Sequence, residues 1–337
     1  TFTGHSLGAQ KMDKMHIDVD NLAELDDHFR FSKRIVAERI AMNRAARVIV
    51  STEMERMEQY AHNAYRGAVN VQDDRHFAVI PPGVNLRIFD RLVSNDKEEE
   101  TQAHVERMLE RDIAVDRRNL PVILSSSRLD AKKNLIGLVK AFAQSGELQE
   151  RANLAIVVRG MDDPLREHGK LTASEGAILD EVIGIIKEGD LWGQITAFSL
   201  NSQQALAAGY RYLAQRQSIF CLTALYEPFG LAPLEAMAAG LPAVVTQNGG
   251  PSESLFDAST GTSFGVLVNP ANPEEIARGL LEVAGEPLRW QYYHDAGIQR
   301  VHDKYTWQRT AEGYLAVIED VLERQESIPI YFRDPAE

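Results

Sequence analysis

Cysteine is almost absent from this chain: Cys221 is the single one in 337 residues. One thiol excludes an internal disulfide framework, which fits a reducing compartment. It sits in the apolar run Ile219-Phe220-Cys221-Leu222, so it reads as a buried core thiol rather than a nucleophile. Positive charge is scarce too, with 36 Lys and Arg against 49 Asp and Glu and a net charge of -13. That balance disfavours nucleic acids and anionic membranes as partners, because both are bound by basic surfaces. No apolar stretch approaches the ~20 residues needed to span a bilayer, and no signal-peptide pattern opens the chain. The expectation is a soluble, cytoplasmic protein. No set of His, Cys and carboxylates has metal-ligand spacing, so no metal site is expected on the chain itself.

What is present is an ordinary 44% hydrophobic content and a length that allows about two domains, each with its own core. The chain opens at Thr1 with no complete strand before its first feature, which reads as a start inside a domain. Residues 26–46 have a helix pattern with Phe29, Val36, Ile40 and Ala41 at apolar positions. Strand Val48–Val50, a polar helix from Glu53 to about Tyr65, and strand Phe77–Ile80 follow, the last stopped by Pro81-Pro82-Gly83. After a charged segment with helical character around His104 to Glu110, strands and helices alternate. Expected strands are Val122–Leu124, Leu154–Val158, Ile195–Phe198, Ile219–Leu225, Ala243–Thr246 and Gly265–Val268. Expected helices between and after them are Lys132–Gln144, Ala173–Glu188, Ser202–Ala214, Pro233–Ala239 and Pro273–Val283, with a last one at Trp307–Gln325. This alternation predicts an α/β fold with a doubly wound parallel sheet.

The densest signal is Tyr226 to Val245, in which Glu227 and Glu235 are separated by seven residues around a Pro/Gly turn and a helix start placed at Pro233. Backbone amides of Gly230, Leu231 and Ala232 at a positive helix end suit an anion, and the two carboxylates suit hydroxyl groups. A ligand with both phosphate and hydroxyls is implied. Upstream, Ser126 to Asn134 follows a buried strand and puts Arg128 and Lys133 at its carboxyl end, where a planar fork and a point charge suit a diphosphate.

Together these blocks resemble the donor-binding segment of retaining nucleotide-sugar glycosyltransferases of the GT-B type, built from two Rossmann-like domains. The resemblance implies that Glu227 contacts the donor hexose beside Phe229, that Glu235 binds the ribose hydroxyls, and that Arg128 and Lys133 hold the leaving diphosphate. It places the nucleobase near Arg159-Gly160 and Leu200-Asn201, although either segment alone would read as a loop or helix cap. It also implies domains at 1–85 (the C-terminal part of an acceptor-binding N-terminal domain) and 86–305 (donor-binding), with 306–337 as a terminal helix crossing back and a tail. On that basis the missing N-terminal strands belong to a longer or a separate chain, and this chain alone is expected to show little transfer.

Thr3 to Lys11 is similar to a loop of sucrose-phosphate synthases, in which His and Ser approach the sugars and the Lys binds acceptor phosphate. The corresponding residues are His5 as a catalytic group, with Ser6 and Lys11 at the acceptor. Arg30, Lys33 and Arg34 would share one helix face, Lys33 and Arg34 serving as a clamp for a sugar phosphate; the alternative is an exposed basic face with Arg34 paired to Glu38. The same loop also fits Gly-x-Ser-x-Gly, the nucleophile elbow of a hydrolase built on Ser6, with His294 or His302 to complete a triad. The charged Lys11-Met12-Asp13-Lys14 that follows would pack badly under an elbow.

The reading that results is transfer of glucose from UDP-glucose to fructose 6-phosphate, giving sucrose 6-phosphate and UDP. No cofactor is expected to bind tightly, and any magnesium would come with the diphosphate. The alternatives are a related synthase for another donor or acceptor, such as a sucrose or mannosylfructose-phosphate synthase, a Ser esterase, and an incomplete chain that only binds nucleotide.

Overall fold

Short apolar runs flanked by capping residues fold here as parallel strands and the helices that cross between them. The computed structural model describes residues 1–4, 7–13, 21–167 and 171–323. The chain divides into two units, residues 1–82 with 308–337, and residues 83–307.

In the first unit, β1 (Phe2–Thr3), β2 (Val48–Val50) and β3 (Phe77–Val79) form a parallel sheet with β2 in the middle. Among the described residues, three helices lie between β1 and β2: α1 (Gly8–Asp13), α2 (Leu22–Phe29) and α3 (Phe31–Arg44). Leu7, Met42, Val48, Val50, Tyr60, Tyr65 and Phe77 make its core.

The single helix expected over 26–46 is broken. Arg30 adopts a left-handed conformation (φ 54°), and the Asp26 carboxylate takes the Ser32 N–H at 2.8 Å, so it caps a second helix from across the break. The expected apolar face also differs: Phe29, Val36 and Ile40 are exposed, while Phe31, Glu38 and Met42 are buried. Glu53 to Tyr65 is not one regular helix, since Glu55–Tyr60 is a π-helical stretch and Asn63–Tyr65 a 3-10 turn.

The second unit begins with α4 (Leu86–Phe89) and α5 (Glu98–Asp112). Then come β4 (Val122–Ser126), α6 (Leu135–Gln144), α7 (Gly146–Arg151), β5 (Asn153–Val157), α8 (Ala173–Glu188), β6 (Ile195–Phe198) and α9 (Gln203–Gln215). The series continues with β7 (Ile219–Leu222), α10 (Leu231–Ala238), β8 (Ala243–Thr246), α11 (Pro251–Ser254), β9 (Phe256–Asp257), β10 (Thr262–Ser263), β11 (Val266–Val268), α12 (Pro273–Leu281) and α13 (Pro287–Lys304). Six of these strands form one parallel sheet in the order β11-β8-β7-β4-β5-β6, while β9 and β10 make a separate antiparallel pair. In chain order this is the 3-2-1-4-5-6 arrangement of a Rossmann sheet, with its reversal between β4 and β7.

All five residues of β5 are buried, as a strand covered on both faces requires. Val139, Phe142, Leu179 and Val182 pack on one face of the sheet, and Val105, Ala207, Tyr210 and Leu234 on the other. Each such aliphatic or aromatic side chain contributes about 2 kcal/mol by leaving water. The bounds of α8 follow from a capping box, in which Thr172 and Glu175 exchange side-chain and backbone bonds. Helix α13 is not among the expected elements, although Trp290, Tyr293, Gly297 and Val301, spaced three and four residues apart, form its buried stripe. The final helix, α14 (Trp307–Glu323), is fastened within the first unit by Thr310 Oγ1 donating to Pro81 O at 2.8 Å and by Arg47 to Asp320 at 2.6 Å. No helix among the described residues is long and apolar enough to cross a membrane.

Candidate functional site

Where strand order reverses in an open parallel sheet, the loops leaving the two neighbouring strands diverge to opposite faces and leave a crevice. Here those strands are β4 and β7, and the loops after them carry Arg128 with Lys133, and Glu227. The two loops are joined: Leu225 N–H donates to Lys132 O at 2.8 Å, and Lys133 Nζ lies 2.6 Å from Glu227 Oε2. Both side chains of this pair are mostly buried, which strengthens it beyond an exposed ion pair.

The backbone of Glu227 is held by the turn at 248–250. Its N–H donates to Asn248 O, its carbonyl accepts from Gly250 N–H, and Asn248 Nδ2 donates to Leu225 O. Gly249 has φ +95°, and a Cβ there would sit 2.1 Å from Glu227 O, so only glycine fits this close approach. This turn therefore sets the height of Glu227.

Gly230, also left-handed at φ 92°, caps α10, which starts at Leu231 and not at Pro233. Glu235 consequently falls in the second turn of the helix instead of the first. The amides of Gly230, Leu231 and Ala232 stand at the helix start, with Leu231 exposed and Phe229 packed near Tyr305 at 6.1 Å between ring centres. The Glu235 carboxylate is half-buried and takes no hydrogen bond from the described residues; burial pushes its pKa up to about 7. A carboxylate so placed lacks the partners that buried acids ordinarily have.

Arg128 does not join the Lys133–Glu227 pair. It is exposed and lines a cavity of about 680 Å3 together with Asp130, Glu175 and Glu181. Arg159 is exposed at the end of β5. The next residue, Gly160, donates its N–H to Asn201 Oδ1 at 2.8 Å, so Asn201 ties two strand-end loops together.

In the first unit, His5 and Ser6 lie outside the described residues. Lys11 and Lys33 are exposed on α1 and α3. Arg34 gives its Nε to Glu38 Oε1 at 2.8 Å. Glu38 also accepts the Gly8 N–H and the Tyr65 hydroxyl, while Tyr60 accepts the Gly4 N–H, so a buried acid and two tyrosines fix both flanks of the loop. Arg30 does not share the face of Lys33 and Arg34: it lies outside α3 and pairs with Asp27 at 2.8 Å. His294 contacts Gly240 O through Nδ1 and stacks on Trp290, and His302 pairs with Asp90. Among the described residues, no group of His, Cys, Asp and Glu side chains is placed to hold a metal ion.

Residues 107–299 match the family described as glycosyl transferases group 1. A probable sucrose-phosphate synthase of Thermosipho melanesiensis is 35% identical over 319 residues, covering 95% of this chain and 64% of that protein. The sucrose-phosphate synthase of Spinacia oleracea is 29% identical, covering 96% of this chain and 32% of the relative. The chain thus spans less than two thirds of the length of these curated relatives. Among solved structures, a sucrose-phosphate synthase from Thermosynechococcus elongatus superposes with a TM-score of 0.63 at 23% identity, covering 96% of this chain and 68% of that one. Anabaena Alr3699/HepE in complex with UDP and glucose gives 0.61 at 16% identity, covering 86% and 67%. These likenesses establish the GT-B type of fold, and the parallel sheets are its Rossmann-like parts.

Proposed function

This chain belongs to the group 1 glycosyl transferases, and from that premise we propose that it serves transfer of glucose from UDP-glucose to fructose 6-phosphate, with retention at the anomeric carbon. The observation that carries the donor half is the Lys133–Glu227 pair that joins the loops leaving β4 and β7 at the strand reversal, with a half-buried, unpartnered Glu235 on the helix that follows β7. Glu235 would gain ribose hydroxyls as its missing donors, Glu227 would take hexose hydroxyls, and Lys133 with Arg128 would meet the diphosphate. Anabaena HepE is solved with UDP-glucose, which supports a donor of that class on this fold. Arg159 and Asn201 would border the nucleobase.

In the reaction, the bond from glucose C1 to the β-phosphate oxygen breaks while the anomeric hydroxyl oxygen of the acceptor bonds to C1 from the same face. The proton of that hydroxyl passes to the departing phosphate oxygen, giving sucrose 6-phosphate and UDP. Negative charge grows on the diphosphate, where Lys133, Arg128 and the amides of Gly230, Leu231 and Ala232 are the available donors. A magnesium ion accompanying the diphosphate would be held by phosphate oxygens, as the described residues offer no carboxylate cluster for it. His5 is assigned a catalytic role at the reacting sugars, and Ser6, Lys11, Lys33 and Arg34 are assigned to the acceptor. The names of the curated relatives support the acceptor as fructose 6-phosphate; a sucrose or mannosylfructose-phosphate synthase is the alternative within the family. The Ser6 esterase reading is not carried further, since the chain belongs to the group 1 glycosyl transferases.

Measuring UDP release from UDP-glucose against a panel of sugar phosphates tests the reading. Fructose 6-phosphate is expected to give the highest kcat/KM, and equal or greater release with unphosphorylated fructose would overturn the acceptor assignment.

A further inference from the structure

The segment after β5, residues 158–167, carries Arg159 and is fastened by a chain of polar contacts that leads away from the crevice to one buried acid. Asp112, the last residue of α5, has a side chain only 2% exposed. Its carboxylate accepts from Arg111 Nε at 2.9 Å and Nη2 at 2.7 Å, from Thr196 Oγ1 at 2.7 Å and from Arg166 Nη1 at 2.9 Å. Burial raises the cost of its charge, yet these donors hold the carboxyl below the usual aspartate range, so it stays ionised.

Through Arg166 the acid grips the far end of the segment, and Arg111 Nη1 reaches Asp162 O in its middle at 3.1 Å. Arg111 also donates to Ala197 O of β6 at 2.8 Å. Asp162 accepts from Ser199 Oγ at 2.7 Å, Ser199 Oγ accepts from Asn201 Nδ2 at 3.2 Å, and Asn201 Oδ1 accepts the Gly160 N–H. Gly160 is left-handed at φ +82°, so this last bond fixes a turn that Arg159 immediately precedes. The loops leaving β5 and β6 are therefore locked to each other and to Asp112 along one continuous path.

We propose that Asp112, acting through Arg111 and Arg166, is a positioning residue that fixes the spacing of the two loops on the nucleobase side of the donor site. It touches no ligand itself. The inference rests on the donor reading above, which places the base beside Arg159 and Asn201. An acid in this role differs from one that merely stabilises the fold, because its loss acts on one end of the nucleotide only.

Calorimetry on the wild-type chain and on Asp112→Asn, with UDP and with inorganic pyrophosphate as separate probes, separates these cases. Pyrophosphate reports on Arg128, Lys133 and the α10 amides alone. In Asp112→Asn the UDP dissociation constant is expected to rise about tenfold, as displaced loops cost binding geometry, while pyrophosphate stays within about twofold. Ser199→Ala, which leaves the buried acid and both arginines in place, should weaken UDP in the same selective way to a smaller degree. If Asp112→Asn does not fold, Ser199→Ala alone decides. UDP affinity unchanged, or UDP and pyrophosphate weakened together, would overturn the inference while leaving the donor site standing. A wild-type chain that binds no UDP would overturn the donor reading itself and this assignment with it.

Discussion

The two units place their candidate residues by different means. In the second, Lys133 and Glu227 come from loops 94 positions apart and meet because their strands are neighbours in the sheet. Six parallel strands fix those loop origins to within a strand spacing, and a turn with a glycine at φ +95° fixes the last few ångströms. In the first unit, Lys11 and Lys33 stand exposed on helices, and Arg34 is tied to a buried acid. There the sheet has three short strands, and side-chain hydrogen bonds from Glu38, Tyr60 and Tyr65 do the positioning. The carboxyl end of a sheet converts topology into a site; a loop site depends on each local contact.

Removing one residue from each side breaks that contrast most sharply. Lys133→Ala is expected to lower transfer by on the order of 100-fold, since on the proposed donor reading a fixed cation at the leaving diphosphate is lost and Glu227 is left without its partner. Single-turnover UDP release is the measurement, and a loss below threefold would detach Lys133 from the reaction. Glu38→Gln tests the other unit. It keeps the volume but sets an amide against the Gly8 N–H and removes the charge facing Arg34, which should cost roughly 2 kcal/mol in urea unfolding. UDP affinity should not change. A parallel loss of UDP affinity would show that the donor site does not stand on its own sheet.

Much of the second unit was legible because local and global signals agree in it. Ala173–Glu188 has a capping box, and Ile195–Phe198 and Ala243–Thr246 are apolar runs between breakers, so their bounds match the sequence reading. The strand order was not legible, and with it the 2.6 Å meeting of Lys133 and Glu227, because nothing local records which strands pair. The break at Arg30 was missed for a related reason. Phe29, Val36 and Ile40 keep a helical period, while the Asp26-to-Ser32 cap that starts a new helix depends on a left-handed residue that the period cannot reveal. Asp112 and Arg111 looked like any solvated pair in a charged stretch, and only the fold turns that stretch into the closed end of α5. Gly249 carried a usable signal, an Asn-Gly-Gly-Pro turn after an apolar strand, but its neighbour Glu227 lies a strand away.

The smallest expected effect gives the finest view of the donor side. Glu235 has a folded pKa raised by burial from 4.5 to about 7, so the folded state holds its proton more tightly than the unfolded state. Its contribution to stability is therefore greatest below about pH 4.5, declines as pH rises to about 7, and is constant above that. Glu235→Gln removes this slope and should raise stability at pH 8 by on the order of 1 kcal/mol, screening at a half-exposed site keeping the gain small. The same change should weaken UDP about tenfold at pH 8, where the wild-type carboxylate is charged and accepts hydroxyl hydrogen bonds best. As pH falls from 8 to 6 the wild-type protein loses this advantage by protonation, while the Gln variant does not, so the two affinity curves converge. Calorimetric titrations of UDP at these two pH values check this. Parallel curves would mean that Glu235 is not among the groups that hold the nucleotide, and that its unpartnered carboxylate is a cost the fold carries for another reason.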